Sequence, residues 1–258
     1  MIADRVAGRT ALVTGGGSGL GRAIALALAR EGAEVVVCGR GSTRVDAVVA
    51  EIEAAGGRAR GEPVDVRSPD EVTALAARLS EVEVSILVNN AGVGGPVADL
   101  VDIEPDDWDE VFAANVRGVY LMCRAFLPAM TSRSAGDVIN LASVTGKRPL
   151  AGRTPYAASK MAVLGLTATL AWEVGPHGVA VNSLSPGPVD GPRMTRNFTL
   201  DAERTGRTYA EAEEAFVSRA ALRRLLTDDE VAQAVISMLH MPGLAGADID
   251  LSAGMIAR

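Results

Sequence analysis

Short runs of apolar residues, rich in valine, leucine and isoleucine, recur along the chain. Five of these runs are continuously apolar rather than alternating, which is typical of parallel strands that are buried on both faces. Two weaker runs bring the predicted number of strands to seven. The strands are predicted at residues 10–14, 34–38, 85–88, 137–141 and 179–184, with the weaker ones at 58–64 and 247–251.

Segments with helical spacing lie between the apolar runs. Strands that alternate with helices indicate a parallel sheet with right-handed crossovers and helices on both faces. The pattern therefore predicts an α/β fold built on a doubly wound parallel sheet. The helices are predicted at about residues 19–31, 42–56, 68–80, 106–131, 155–175 and 227–241.

The segment from residue 186 to about residue 220 fits neither pattern. It opens with prolines and continues as a polar, charged stretch. Two interpretations stay open, a solvated loop with short helices and a mobile lid over a ligand site.

Length and composition fit one domain, residues 1–258. Of the 258 residues, 48% are hydrophobic and 22% charged, which is enough apolar material for a large core. With 25 Lys and Arg against 32 Asp and Glu, the net charge is −7, so the chain lacks the basic excess that nucleic acids or anionic membranes require.

Charged residues interrupt the N-terminus, and neither a targeting signal nor a membrane span is predicted. We expect a cytoplasmic protein.

Cysteine and histidine are too rare for several kinds of site. Cys38 and Cys123 lie far apart without metal-binding spacing, and we expect two reduced core thiols. His177 and His240 are the only histidines, which leaves almost no material for a histidine metal site or a Ser-His-Asp triad. No metal site is predicted.

A glycine-rich segment joins the first predicted strand to the helix after it. Gly15, Gly19 and Gly21 allow a tight turn and a close approach to a pyrophosphate, whose charge the amides of the helix N-terminus bind. A merely flexible turn is the alternative. The strand before the loop and the helix after it favour nucleotide binding.

Tyr156 and Lys160 lie four residues apart and share one face of the predicted helix at 155–175. A free tyrosine has a pKa of ~10. An ammonium group one turn away favours the phenolate and brings this pKa closer to neutral pH. Taken alone, the pair is equally compatible with an ordinary surface contact, so it becomes specific only together with the glycine-rich loop.

These two motifs, with several others in the same order, resemble the short-chain dehydrogenase/reductase family in its compact single-domain form. The resemblance runs the full length of the chain and implies a Rossmann-type sheet. The matching residues are Gly15, Gly19 and Gly21; Asp65 and Val66; Asn89, Asn90, Ala91 and Gly92; Asn115; Ser143; Tyr156 and Lys160; and Pro186 and Gly187.

The resemblance implies an NAD(P)(H)-dependent oxidoreductase that interconverts a secondary alcohol and a ketone by hydride transfer. Tyr156 would be the general acid–base, and Ser143 would hydrogen-bond the substrate oxygen. Lys160 would lower the tyrosine pKa and bind the nicotinamide ribose, while Asn115 would hold a water that links Lys160 to solvent. Ser143 and Asn115 also have purely structural interpretations, as a strand-end hydroxyl and as a buried amide bonded to the backbone.

Contacts with the cofactor are expected from residues spread along the chain. They are Gly15, Ser18, Gly19, Leu20, Gly21, Arg40, Asp65, Val66, Asn89, Ala91, Gly92, Tyr156, Lys160, Pro186, Gly187 and Val189. The other partners implied are a small alcohol or ketone and further copies of the chain. The helix at 156–174 is apolar on nearly every side, and with the helix at 106–131 we expect it to form the interface of a homodimer or homotetramer.

The end of the second predicted strand bears on the choice between NAD and NADP. Dinucleotide folds that use NAD carry an acidic residue there, which bonds the adenosine ribose and repels a 2′-phosphate. This chain has Gly39 at that position, followed by Arg40, whose guanidinium offers a clamp for phosphate. The alternative for Arg40 is a solvated loop charge. The missing acid and the adjacent arginine favour NADP(H), with NAD(H) as the alternative.

A function without catalysis is the main competing hypothesis. A nucleotide-binding sensor or scaffold on the same fold would need only the glycine loop and the adenine contacts. The presence of Ser143, Tyr156 and Lys160 together argues against it.

The segment before Tyr156 is unusually basic for one that borders a pocket. Lys147, Arg148 and Arg153 either recognise a carboxylate or phosphate on the substrate or are solvated charges at a loop rim. The second interpretation is favoured, because loop charges commonly point outward.

Overall fold

The computed structural model describes residues 5–256 and contains one sheet of seven strands. The strands are β1 (Thr10–Thr14), β2 (Glu34–Gly39), β3 (Arg58–Pro63), β4 (Val84–Asn89), β5 (Gly136–Leu141), β6 (Val179–Pro186) and β7 (Asp248–Leu251). Their order is β3-β2-β1-β4-β5-β6-β7, and every neighbouring pair is parallel. The predicted α/β class, with a doubly wound Rossmann-type sheet in a single domain, is confirmed.

Helices cover both faces of the sheet. They are α1 (Gly19–Arg30), α2 (Ser42–Ala54), α3 (Pro69–Arg78), α4 (Pro105–Phe112), α5 (Gly118–Arg133), α6 (Thr154–Val174), α7 (Pro192–Thr205), α8 (Tyr209–Val217) and α9 (Asp228–Leu239). Residues of α1, α2 and α9 form one buried apolar layer against the sheet, and residues of α3, α5 and α6 form the other. The central strands are buried on both faces, which explains their continuous apolar sequences.

The chain reverses its direction of travel across the sheet between β1 and β4. From β1 it builds outward to β2 and β3, and it then crosses to β4 on the other side of β1. Such a reversal opens a crevice at the carboxyl ends of the two strands, where open α/β sheets bind ligands. The Thr14 hydroxyl holds the two strand ends together, because it accepts hydrogen bonds of 3.0 Å from the backbone amides of Asn90 and Ala91.

The helix predicted at 106–131 is a helical run with a change of hydrogen-bonding pattern at its centre. A π-helical turn, Ala113–Arg117, separates α4 from α5 and contains the buried Asn115. The apolar pattern predicts that the segment is helical but does not reveal which hydrogen-bonding pattern each turn has. Turns of this kind are frequent at functional sites.

The segment from residue 186 to 220 is largely helical, so the interpretation as a solvated loop with short helices is incomplete. It contains α7 and α8, which share a small apolar cluster around the fully buried Phe198. The Tyr209 ring packs edge-on against Phe198, with ring centroids 5.8 Å apart. The sequence pattern missed these helices because only a few apolar residues mark their buried sides.

The cysteines are free and buried, in agreement with the prediction of core thiols. No helix in the described part of the chain combines the length and the apolar character needed to cross a bilayer. Within residues 5–256, His, Cys, Asp and Glu side chains form no group of three that could hold a metal ion.

Candidate active site

A cavity of about 510 Å³ lies along the carboxyl ends of the central strands, and α7 borders its outer side. It extends from the loop after β1 to the segment in front of α6. Most of the residues predicted for the site line its walls. They are Gly15, Ser18, Gly19, Leu20, Gly21, Arg40, Asp65, Val66, Ala91, Gly92, Ser143, Tyr156, Lys160, Pro186, Gly187 and Val189.

The loop between β1 and α1 requires glycine for two different reasons. A Cβ atom at Gly21 would lie 2.2 Å from the backbone oxygen of Gly15, so no side chain fits there. Gly19 has a φ of 50°, in the left-handed region, and no atom lies within 4 Å of the place where its Cβ would be. The backbone at Gly19 is therefore open toward the cavity.

The N-terminus of α1 points its backbone amides at this opening. Ser18 is the N-cap residue, yet its side chain makes no capping hydrogen bond, and the first turn contains no acidic residue. The amides are thus left without a side-chain acceptor, and the helix dipole adds positive potential. This arrangement fits the diphosphate of a dinucleotide.

Two arginines lie where β2 meets α2. Arg40 and Arg44 both line the cavity, and neither has a carboxylate partner among residues 5–256, whereas the neighbouring Arg67 is paired with Asp65. The sequence analysis singled out Arg40 but missed Arg44. A signal was present, because Arg44 lies in the first turn of the helix that follows the second strand.

Asp65 lies just after β3 and lines the cavity. Its carboxylate is 2.6 Å from Nη2 of Arg67. Hydrogen bonding from Arg67 lowers the pKa of Asp65, and the positive charge of Arg40 adds to this effect. The acid is therefore ionised and already paired, so it does not neutralise Arg40.

Tyr156 lies in the first turn of α6 with its ring in the cavity wall. Burial by itself raises the pKa of Tyr156, but neighbouring positive charges and one hydroxyl group outweigh it and bring the pKa below its ordinary value. In order of effect, these groups are Lys160, Arg193, Ser143 and Arg153. The tyrosine is thereby prepared for proton transfer.

Lys160 lies one turn beyond Tyr156 and is buried. Its Nζ is 5.8 Å from the centre of the tyrosine ring and donates a 2.6 Å hydrogen bond to the backbone oxygen of Leu141, at the end of β5. Burial lowers the pKa of Lys160, while the neighbouring Tyr156 raises it. The ammonium group is thus held between β5 and the tyrosine.

Ser143 follows β5, and its hydroxyl takes the structural role considered for it from the sequence. Its Oγ accepts a 3.2 Å hydrogen bond from the amide of Thr145, so it caps the turn Val144–Gly146. The same side chain lines the cavity and helps to lower the pKa of Tyr156.

Asn115 does not line the cavity, and its contacts differ from those expected. Its Nδ2 donates to the backbone oxygen of Val93 and to the hydroxyl of Ser159, both at 3.0 Å. Its Oδ1 accepts a 2.8 Å hydrogen bond from the Val93 amide. Both amide hydrogens are therefore used internally, and the side chain connects the loop after β4 to α6.

Asn89 also lies outside the cavity, although it was expected to contact the cofactor. It is the last residue of β4 and is buried, with its Nδ2 2.9 Å from Oδ1 of Asn140 on the adjacent β5. The alternation of side chains along a strand directs Asn89 away from the site. The next residue, Asn90, lines the cavity instead.

The three basic residues before Tyr156 are not solvated loop charges, so that interpretation is wrong. Lys147 forms ion pairs with Asp248 and Asp250 on β7. Arg148 and Arg153 both line the cavity, and Arg153 is only 5% exposed. The guanidinium of Arg153 lies 5.0 Å from the centre of the Tyr156 ring.

Residues 9–203 match the model of a protein family described as short chain dehydrogenase. A curated relative is the 3-oxoacyl-(acyl-carrier-protein) reductase of Pseudomonas aeruginosa, which is 34% identical over 253 residues. The alignment covers 96% of this chain and 97% of the relative.

Two solved structures are similar over nearly the whole chain. A xylitol dehydrogenase with bound NAD⁺ has a TM-score of 0.92 and 26% identity, with 96% of this chain and 99% of the other covered. A variant of the actinorhodin polyketide ketoreductase with NADPH has a TM-score of 0.91 and 31% identity, with 99% of both chains covered. The substrates named in these descriptions differ, and both nicotinamide cofactors occur.

Proposed function

The chain belongs to the short-chain dehydrogenase/reductase family of oxidoreductases, and we propose that it interconverts a secondary alcohol and a ketone with a nicotinamide cofactor. The observation that carries this proposal is the position of Tyr156, which lies in the cavity wall with a lowered pKa beside Lys160 and Ser143. No acid–base group of this kind is needed for binding a nucleotide alone.

The residues present fit a dinucleotide. The open glycine loop and the amides of α1 would hold its diphosphate, and Lys160 would bind the hydroxyls of the nicotinamide ribose. When bound there, the cofactor gives or takes a hydride at the reacting carbon.

The chain's own groups supply the proton chemistry. In reduction, the Tyr156 hydroxyl gives its proton to the carbonyl oxygen, and in oxidation the phenolate takes the proton of the alcohol. Ser143 donates a hydrogen bond to the same oxygen and stabilises the charge that develops on it. The Lys160 ammonium keeps the tyrosine pKa low, since it is the largest of the charges that do so.

Asn115 is a positioning residue in this proposal. Its amide fastens Val93 to Ser159, and the Ser159 hydroxyl donates a 2.8 Å hydrogen bond to the backbone oxygen of Tyr156. This chain of bonds fixes the first turn of α6 relative to the loop after β4. The tyrosine is thus held at the edge of the cavity.

Turnover with a panel of ketones and either NADPH or NADH, followed by nicotinamide absorbance, tests the proposal. We expect oxidation of the cofactor with at least one ketone. Absence of turnover with every ketone of a broad panel, with cofactor binding demonstrated by calorimetry, would favour the sensor or scaffold instead.

We propose NADP(H) as the preferred cofactor, supported by Gly39 in place of an acid and by two unpaired arginines at the end of β2. We expect Arg40→Ala and Arg44→Ala each to lower kcat/KM for NADP(H) about tenfold or more and to leave that for NAD(H) within a few fold, since a charged hydrogen bond contributes about 1.5–3 kcal/mol. Gly39→Asp should reverse the preference. An Asp Cβ would meet only Val45 Cγ2 closely, at 3.2 Å, so the variant is expected to fold.

Arg30→Ala, at the exposed end of α1, is the matched control for loss of one positive charge. It should leave the ratio of NADP(H) to NAD(H) efficiency unchanged. A parent enzyme that uses NAD(H) as well as or better than NADP(H) would overturn the preference.

We propose a homodimer or homotetramer that uses α5 and α6. Trp172 on α6 is 86% exposed, and Met161 and Tyr120 on the same two helices are also exposed, which leaves a large apolar surface uncovered. We expect Trp172→Glu to shift the protein toward monomer in sedimentation velocity at micromolar concentration. Val101→Glu, at an equally exposed apolar position outside both helices, should not do so. A stable, active monomer of the parent protein would contradict the proposal.

The segment 186–220 is proposed to act as a lid, because α7 borders the cavity and carries Arg193, whose Nη2 is 3.0 Å from the backbone oxygen of Gly92. This hydrogen bond joins α7 to the loop after β4 at the cavity wall. The cytoplasmic location stays a prediction from the sequence.

A further inference from the structure

We propose that the substrate carries an anionic oxygen group, a carboxylate or a phosphate, which binds Arg153 and Arg193 beside Tyr156. The inference rests on the proposed function, because it concerns the substrate of the same reaction.

Arg153 is a buried cation that forms no ion pair with any carboxylate of residues 5–256. It is 5% exposed, and its two hydrogen bonds go to neutral groups, Oδ1 of Asn197 at 2.7 Å and the backbone oxygen of Gly94 at 2.8 Å. Its Nε is buried without an acceptor. Of the five N–H donors of a guanidinium, three therefore remain unused.

Burying a guanidinium without a negatively charged partner costs free energy of folding, and buried charges are therefore normally paired. Burial lowers the pKa of Arg153, and the positive charges of Arg193 and Arg196 lower it further, while the tyrosine raises it. No carboxylate of residues 5–256 lies within ion-pair distance of Arg153 or Arg193. A bound anion is the group that would offset the buried charge.

Basic side chains outnumber acidic ones along the cavity wall. Two further arginines, Arg148 and Arg219, line the cavity and donate only to backbone oxygens. The acids Asp190 and Asp228 also line it, and the pKa of Asp228 is raised by burial, by the charge of Asp229 and, to a smaller extent, by that of Asp190. A chain with a net charge of −7 therefore presents a positive field at this place.

The geometry limits where the anion lies on the substrate. The guanidinium of Arg153 is 5.0 Å from the centre of the Tyr156 ring, and the charge of Arg193 acts on both Tyr156 and Lys160. An anion on these two arginines is thus within a few bonds of the carbonyl oxygen that Tyr156 protonates. The substrate class is a short keto acid or hydroxy acid, or a phosphorylated ketone of similar length.

The test compares charged ketones with neutral partners of nearly the same shape. The pairs are acetoacetate with methyl acetoacetate, levulinate with methyl levulinate, and dihydroxyacetone phosphate with dihydroxyacetone. We expect kcat/KM for the anion to exceed that for its neutral partner by about tenfold or more in at least one pair, since hydrogen bonds to charged groups contribute about 1.5–3 kcal/mol. The first two pairs report on carboxylates and the third on phosphate.

Arg153→Gln should reduce this anion-to-neutral ratio to about one, and Arg193→Gln should reduce it several fold. The ratio is informative because damage to Tyr156 affects both members of a pair equally. Arg207→Gln, an exposed arginine beyond the end of α7, removes the same charge without lining the cavity and should keep the parent ratio. If Arg153→Gln does not fold, Arg193→Gln, at an exposed position, provides the test by itself.

A ratio of one or less in all three pairs, with the neutral ketones turned over, would overturn the anion proposal and leave the proposed function intact. If Arg193→Gln raises KM equally for the cofactor and for both ketones of a pair, Arg193 binds the cofactor. That result would also contradict the anion proposal. If no ketone is turned over, the proposed function fails, and calorimetry with levulinate decides the anion site separately. Binding that weakens about tenfold in Arg153→Gln would support the site, and absence of binding would overturn it.

Discussion

Replacement of Tyr156 by phenylalanine is expected to lower kcat by about a hundred- to ten-thousandfold while the cofactor binds almost unchanged. The variant keeps the ring, and with it the contact to the Arg153 guanidinium, but removes the hydroxyl proton that we propose Tyr156 transfers to the substrate oxygen. Steady-state turnover and cofactor titration by fluorescence, on the same preparation, measure the two effects.

Tyr209→Phe is the matched control. Tyr209 lies in α8, packs against Phe198 and does not line the cavity, so its hydroxyl should be dispensable for turnover. Turnover of Tyr156→Phe within tenfold of the parent would exclude Tyr156 as the acid–base group.

Loss of the Lys160 charge is expected to damage both rate and cofactor binding. Lys160→Met keeps most of the buried volume but removes the largest of the charges that lower the Tyr156 pKa, so that this pKa rises. Alcohol oxidation needs the phenolate, and its rate increases as the pH rises through the tyrosine pKa. In the variant the increase should therefore occur at higher pH, with kcat at neutral pH lower by about a hundredfold and weaker cofactor binding.

The pH profile of kcat separates an electrostatic role from a structural one. A rate loss with an unshifted profile would mean that Lys160 does not tune the tyrosine. Unchanged cofactor affinity would contradict the ribose contact. Lys160→Ala serves as a second variant, and agreement between the two excludes a simple packing effect.

Local parts of the site could be predicted from sequence because their geometry is set within a few residues. The glycine loop follows from a strand, a turn and a helix in succession, and Tyr156 and Lys160 share a face because they are one helical turn apart. The continuous apolar runs likewise predicted the central strands, since burial on both faces leaves little choice of residue.

The remaining features depend on side-chain directions that tertiary packing decides. Arg153 could not be distinguished from a solvated loop charge until the start of α6 and the loop at Gly94 were in position. Arg193 is far from Tyr156 in sequence and is brought near it by α7, a helix with too few apolar residues to be recognised. The partners of the Asn115 amide, Val93 and Ser159, come from separate segments, so the sequence does not reveal these hydrogen bonds.

Both native thiols are buried, and we expect them not to react with labelling reagents. This makes the protein suitable for site-directed spectroscopy. Burial raises the pKa of Cys38 and of Cys123, and the thiolate is the form that reacts with maleimides. A single cysteine introduced on the exposed side of α7, such as Thr199→Cys, would therefore carry a fluorophore or spin label without removal of the native residues. The opening and closing of α7 that we propose can then be tested directly in the otherwise unmodified enzyme.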